Sequence, residues 1–451
     1  MAWFESGPSV RYVGVPTKNW AGNQRCVPVG VHLPTSTTAV AAIVRTAAEA
    51  GERVKVIGGA HSFTDIAMTD GHLLSLDAMN RVLAVGGPDG FDVTVQAGIR
   101  LYDLNEELAS RGLAMPNLGD INMQSIAGAI GTATHGTGAG HGNIATVVVG
   151  MEIVTGDGSI CRTDEDNDPE LLTVARVGLG ALGIVTEVTL RCVPMFNLQA
   201  VETIEPLADL LADFERVMHA TDHVEFYWMP GARRCQVKRN TLTGMPAAPQ
   251  SKPAYIRDKW IAENLAFGTV CRVGRRYPKA APRIAKLITS AASERELIDR
   301  SDRIFSSPRR VRFVEMEYGI PFDAVPDAIA RIGALVASLP FPPLFPIEVR
   351  ASAGDNIPLS TANGRLSGWI AVHQYIGAPY ESYFQGVENI MNDYSGRPHW
   401  GKLHFQSANT LASRYPEWDR FQNARRQLDS NGTFANAYTD RVLGPVRVIS
   451  A

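Results

Sequence analysis

At 451 residues the chain is too long for one compact core, and about 150 residues per domain gives two or three domains. Apolar residues at 45% and charged residues at 20% describe a folded globular protein and exclude a disordered or collagen-like one. The 43 Lys and Arg against 46 Asp and Glu leave a formal charge of −3, which gives neither nucleic acid nor an anionic membrane an electrostatic reason to bind.

In chain order, strand and helix signals alternate over the first part. Thr37–Ala50 reads as a helix stopped by Gly51, and Arg53–Ile57 as a β-branched strand. Leu101–Gly112 reads as a second helix. The greasiest run, Ile144 to Val154, reads as a buried strand. Val147–Thr155 and Ile160–Arg162 flank Gly156-Asp157-Gly158, a hairpin signal, and Ile184–Val193 is a further strand. Longer helices follow over Leu207–His219 and Pro282–Ile298, mixed with strands such as Val311–Tyr318. Gly244–Pro253 is an exposed loop. The expected fold class is α+β, with a first domain over residues 1–195, an inserted domain over 196–395 and a segment 396–451 that rejoins the first. No run reaches the ~18 apolar residues of a membrane helix, and no secretory leader begins the chain. Five scattered cysteines without a C-x-x-C pair argue against a disulfide framework or a zinc site, and for a reducing cytoplasm.

Three glycine-rich segments invite a cofactor reading. Gly178-Leu-Gly180-Ala-Leu-Gly183 matches G-x-G-x-x-G, but a helix precedes it and a strand follows, the reverse of what a dinucleotide fingerprint needs. The segments from Gly58 to Phe63 and from Gly119 to Gly138 carry serial Gly, Ser and Thr. Their backbone N–H groups can point into one concavity and hold phosphate without Lys or Arg. Two such loops could hold the two phosphates of a dinucleotide.

Downstream, Pro346-Ile-Glu348-Val-Arg350 reads as a strand that turns Glu348 and Arg350 to one face. Trp369 to Tyr375 does the same for His373 and Tyr375. His219 and His223 have the i, i+4 spacing of a zinc helix but lack its glutamate. They read as a solvated helix end, and no metal site is expected.

The segments GGAHSFTDIAMTDG and AGAIGTATHGTG, with Arg397-Pro-His399-Trp-Gly401-Lys402, resemble the vanillyl-alcohol-oxidase-type flavoenzymes. Within them the sugar-oxidase branch is the nearest in pattern: aldonolactone oxidases and alditol oxidase. The resemblance runs from Asn19 to Asn436 and is weakest between about Gln199 and Val311. It implies a two-subdomain PCMH-type FAD-binding domain with an inserted α+β cap of the aldonolactone-oxidase type. FAD would be held by Ile57, Gly58, Gly59, Ala60, His61, Ser62, Gly119, Asp120, Ser125, Gly128, Gly131, Thr132, Thr134, His135, Gly138, Gly183, Ile184, His399 and Lys402, covalently through His61. Catalysis would fall to Glu348, Arg350, His373 and Lys402, with His373 or Lys402 as base and hydride passing to the flavin. The substrate class implied is a sugar-derived lactone, or a polyol by His373 and Gly401. Glycine at position 119 resembles the oxidases and points to O2 as acceptor, while Asp120 departs from the serine of alditol oxidase.

Overall fold

The computed structural model describes residues 17–251, 267–277, 294–307, 309, 311–341 and 343–446. A small parallel sheet opens the fold, with His72–Ser75 between Gly30–His32 and Val54–Ile57. The helix Thr37–Glu49 carries the chain from Gly30–His32 across to Val54–Ile57, and His72–Ser75 then enters between them. Ser36 caps its start by accepting from the Ala39 N–H, and Gly51, at φ +68°, lets the chain leave it.

A five-stranded antiparallel sheet follows in the order Ile160–Asp164, Val148–Val154, Ile184–Arg191, Asp92–Gln96, Val82–Gly86. Every residue of Val148–Val154 is buried, as its apolar run requires, while Ile144–Val147 forms a 3-10 turn ahead of it. The Gly156–Gly158 turn joins the first two of these strands, so the hairpin reading holds. Leu101–Ala109 ends three residues short of the expected helix, and Ile184–Arg191 stops before Cys192, where Val193–Pro194 turns to pair with Leu113–Ala114.

The third sheet has eight strands, in the order Arg295–Arg300, Asn197–Pro206, Arg234–Thr243, His223–Trp228, Ile347–Ser352, Ser367–Tyr375, Phe313–Pro321, Arg397–Pro398. Its two faces differ in chemistry. Val224, Phe226, Val237, Val314, Met316, Ile347, Val349, Ile370 and Val372 point to one side, where helices Val325–Ser338 and Glu381–Asn392 cover them in one apolar core. The alternate residues form a polar face turned toward the first two sheets.

Two expected helices change. Leu207–His219 breaks at Asp213 into Leu207–Ala212 and Phe214–Met218, because Asp213 leaves helical geometry at φ −123°. Of Pro282–Ile298, residues 282–293 lie outside the described part. The Arg295–Arg300 stretch is an edge strand paired with Asn197–Glu202, tertiary pairing having overridden helix propensity. His219 and His223 do not share a helix either. The chain turns at Thr221 and Asp222, so His219 stays exposed while His223 begins a strand and is buried at 2% exposure.

The chain's last segment packs inward. Trp400, Leu411, Tyr415, Phe421, Phe434 and Tyr438 belong to the same apolar core as the helices beginning at Thr37 and Leu101. All five cysteines are free thiols. Among the described residues no helix is long and apolar enough to cross a membrane.

Candidate active site

A groove of about 1310 Å³, mouth included, runs between the parallel sheet and the five-stranded sheet. It is lined by Ile57 through Ser62 of the first glycine loop and by Ser125, Gly128, Gly131 and Thr132 of the second. Gly178–Gly180, Gly183 and Ile184 close a third side, so the inverted G-x-G-x-x-G segment is a wall of the groove. The two glycine loops interlock: a Cβ on Gly58 would strike Ser125 Oγ, and one on Gly59 would strike Met123 O. Ala60 sits at φ +53° and Ala133 at φ +55°, the kind of strain that persists where the surroundings over-determine a site.

Polar groups around the groove are left over. Gln124 Oε1 and Arg100 Nη1 are buried without a hydrogen-bond partner among the described residues. Lys55, exposed only 3%, sends Nζ to Phe434 O at 2.9 Å and Gly180 O at 3.1 Å. A dinucleotide cofactor fits such a lining in size and in chemistry: backbone N–H groups, small side chains and unsatisfied donors and acceptors.

His61 stands at one end. Trp20 stacks on its ring at 5.5 Å, and no hydrogen bond engages either ring nitrogen among the described residues. Burial, with Lys402 and Arg100 nearby, lowers its pKa to about 4, so the imidazole is neutral at pH 7 with a free lone pair.

Beyond His61 lies the polar face of the eight-stranded sheet. Residues directly opposite in register share a face, and the pairs Tyr227↔Glu348, Arg350↔Trp369 and His373↔Glu315 put these side chains on one surface. Arg350 Nε donates to Glu348 Oε1 at 2.7 Å, and Tyr227 donates to the same oxygen at 2.9 Å. Glu225 reaches Arg350 Nε at 3.4 Å and Lys238 at 3.3 Å. Burial pushes the Glu348 carboxyl up to about 7, Arg350 opposing and Asp120 and Glu225 adding to the rise. At 4% and 8% exposure, Glu348 and Arg350 are not a surface ion pair.

A second polar group lies one strand over. Lys402 pairs with Glu315, whose other oxygen is 3.5 Å from His373 Nε2, and His373 Nδ1 donates to Pro346 O at 3.1 Å. Burial alone would raise the Glu315 carboxyl, but Lys402 and His373 outweigh it and hold it down to about 2. The His399–Lys402 turn packs on the first loop, Gly401 O accepting from the Phe63 N–H at 2.7 Å.

The expected cofactor residues therefore divide. Ile57 to Ser62, Ser125, Gly128, Gly131, Thr132, Gly183 and Ile184 line the groove. Gly119, Asp120, Thr134, His135, Gly138, His399 and Lys402 lie outside its lining and form the seam with the polar face. Gly138 N–H donates to Ala351 O at 2.9 Å, and Asp120 pairs with Arg350 at 2.7 Å. An added methyl on Gly119 would lie 3.1 Å from His135 O and 3.3 Å from Thr134 Cγ2, so its absence lets two loop segments approach closely. His135 stacks on Trp369 at 3.6 Å and reaches Glu317 at 3.4 Å. His135, Glu317 and His399 bring donor atoms within 4.8 Å of one another. His399 Nδ1, however, accepts from the Gly401 N–H at 3.0 Å, which occupies that lone pair and leaves the ring proton on Nε2, so the neutral ring has no free nitrogen for a metal. Glu225, Tyr227, Lys238, Glu315, Glu317 and Trp20 were not singled out as site residues from the sequence.

Comparison with known proteins agrees with this geometry. Residues 188–442 match the family model for D-arabinono-1,4-lactone oxidase, and residues 28–164 match the FAD binding domain model. The chain belongs to the aldonolactone oxidase family. The L-gulono-1,4-lactone dehydrogenase of Mycobacterium tuberculosis is 44% identical, the match covering 95% of this chain and 99% of that one. The L-gulonolactone oxidase of Bos taurus is 33% identical over 96% of this chain and 99% of its own length. In fold the chain resembles the cholesterol oxidase of B. sterolicum, with a TM-score of 0.82 at 20% identity, covering 97% of this chain and 98% of that one. The PCMH-type architecture follows from that likeness. As a member of the aldonolactone oxidase family the chain is an FAD-dependent oxidoreductase, with a cofactor-binding half and a half that carries the family's own signature.

Proposed function

We propose that the protein oxidises a C–OH group of an aldono-1,4-lactone, such as gulono- or arabinonolactone, with FAD held in the groove and the substrate on the polar sheet face. Its relatives carry lactone names. The observation that carries the reading is the Glu348–Arg350–Tyr227 cluster on the polar face of the eight-stranded sheet, with Glu348 and Arg350 buried. FAD supplies the two-electron oxidant when bound; the rest is done by the chain's own groups. Arg350 is fixed through Nε and Nη2, which leaves Nη1 to donate to a lactone carbonyl or a developing alkoxide oxygen. Glu348 orients Arg350 and accepts from Tyr227 or a sugar hydroxyl. His373, with its proton on Nδ1, presents Nε2 as an acceptor for the hydroxyl proton, and Glu315 steadies the imidazolium that results. Lys402 shares Glu315 and is the alternative base.

His61, neutral and unengaged, is the proposed covalent attachment point. In this reading residues 1–195 bind FAD, 196–395 form the cap, and 396–451 return to the first domain; the tail aromatics in the first core support that division. Ile357 and Leu359, within the cap span, also reach that core and tie the halves together. The free thiols suit the cytoplasm, and the near-neutral charge gives no role to nucleic acid. O2 or another acceptor would take the electrons onward. The experiment is direct: the purified protein is yellow, keeps its colour after acid precipitation, and bleaches anaerobically with an aldonolactone. Bleaching by alditols and not by lactones would overturn the substrate, and acid-labile colour would overturn the His61 linkage.

A further inference from the structure

An arginine on a buried strand is a natural seat for a carboxylate, because its planar fork matches that group. Here the fork is already occupied. Asp120 Oδ2 lies 2.7 Å from Arg350 Nη2, Glu348 takes Nε and Nη2, and Glu225 lies 3.4 Å from Nε. The surrounding cations are committed as well, Lys238 to Glu225 at 3.3 Å and Arg309 to Asp120 at 3.0 Å. Asp120, Glu225 and the Glu348 carboxyl, poised between its two forms, thus face three cations, and each cation already has an acidic partner. Two of the carboxylates belong to the sheet itself, with side-chain exposures of 4% for Glu225 and 5% for Glu348. Asp120 is different. It comes from the second glycine loop on the opposite side of the seam and is 17% exposed, so an arriving ligand meets it first.

From this geometry we infer that Asp120 is a specificity residue: its carboxylate closes Arg350 to anions, so the site takes neutral polyhydroxylated lactones and refuses the open-chain aldonates that the same lactones hydrolyse to. A lactone brings hydroxyls that donate to Asp120 and Glu348 and a carbonyl that accepts from Arg350 Nη1. The aldonate brings a full negative charge against the Asp120 carboxylate already seated on Arg350, a repulsive element of the kind that sets specificity. The inference rests on the reading of the polar face as the substrate site.

The test is anaerobic calorimetry on dithionite-reduced holoenzyme, which binds lactone without turning it over, at pH 7 with L-gulono-1,4-lactone and with sodium L-gulonate. Wild type should bind the lactone and bind gulonate at least about a hundredfold more weakly. Asp120→Asn should shift the ratio of gulonate to lactone affinity at least about tenfold toward gulonate. Asp120→Ser, which keeps a hydroxyl, should behave alike and serves if the amide variant fails to fold. Wild type binding gulonate as tightly as lactone, or an unchanged ratio in the folded variant, overturns the role of Asp120 and leaves the substrate site standing. Failure of wild type to bind any lactone instead overturns the reading on which the inference rests.

Discussion

Lys55 is buried at the wall of the groove, with two backbone carbonyls as its hydrogen-bond partners among the described residues. Burial, with Arg425 nearby, lowers its pKa from 10.5 to about 7. The unfolded chain therefore holds a proton between pH 7 and 10.5 that the folded chain has released, and stability rises with pH across that window; below about pH 7 the full penalty applies. Denaturant unfolding at pH 7 and 9 should show the wild type gaining on Lys55→Met by about 2 kcal/mol over the interval. A pH-independent difference between the two would mean that Lys55 keeps its charge in the fold. The Glu315 carboxylate makes the opposite kind of contribution. It is held down by Lys402 and His373. Glu315→Gln should slow anaerobic cofactor reduction by about 10–100-fold, because the amide cannot steady positive charge that develops on the base in the transition state. An unchanged rate would transfer the base role away from His373.

At the scale of elements, the polar face explains what could and could not be read from the chain. Phe313–Pro321 runs Phe-Val-Glu-Met-Glu-Tyr-Gly-Ile-Pro, an alternation that reads as a strand with one wet face. The strand forms as expected, but Glu315 and Glu317 are buried at 5% and 3% exposure, because Lys402 of the tail and His135 of the second glycine loop lie over that face. No local signal distinguishes a carboxylate facing water from one facing another domain. The same blindness hid Glu225 and Tyr227, in a strand whose pairing with Ile347–Ser352 spans more than a hundred residues. The residues legible in advance were those in motifs with a backbone reason. The glycine loops interlock only without Cβ atoms, and the Glu348–Arg350 alternation survives because a strand has period two. The His219–His223 spacing misled for the complementary reason: i, i+4 means proximity only if the helix continues, and here it ends at Met218.

Across the whole molecule, the cofactor groove and the polar face are brought together by contacts remote in sequence. Asn436 Nδ2 donates to Asp65 O, Ile66 O and Met68 O, so the tail fixes the segment that follows the first glycine loop. Phe63 N–H bonds Gly401 O in the tail, while Gly138 N–H bonds Ala351 O and Asp120 bonds Arg350, two ties between the second glycine loop and the strand Ile347–Ser352. Arg350 is where these halves meet, and chemistry at that seam is the central claim. The most direct measurement is anaerobic stopped-flow reduction at saturating aldonolactone, wild type against Arg350→Met, with FAD content and thermal stability matched. The expected result is a loss of about 10²–10³ in the reduction rate, as for other donors that stabilise developing charge. An equal rate in the two proteins would contradict it and would place the reacting oxygen elsewhere.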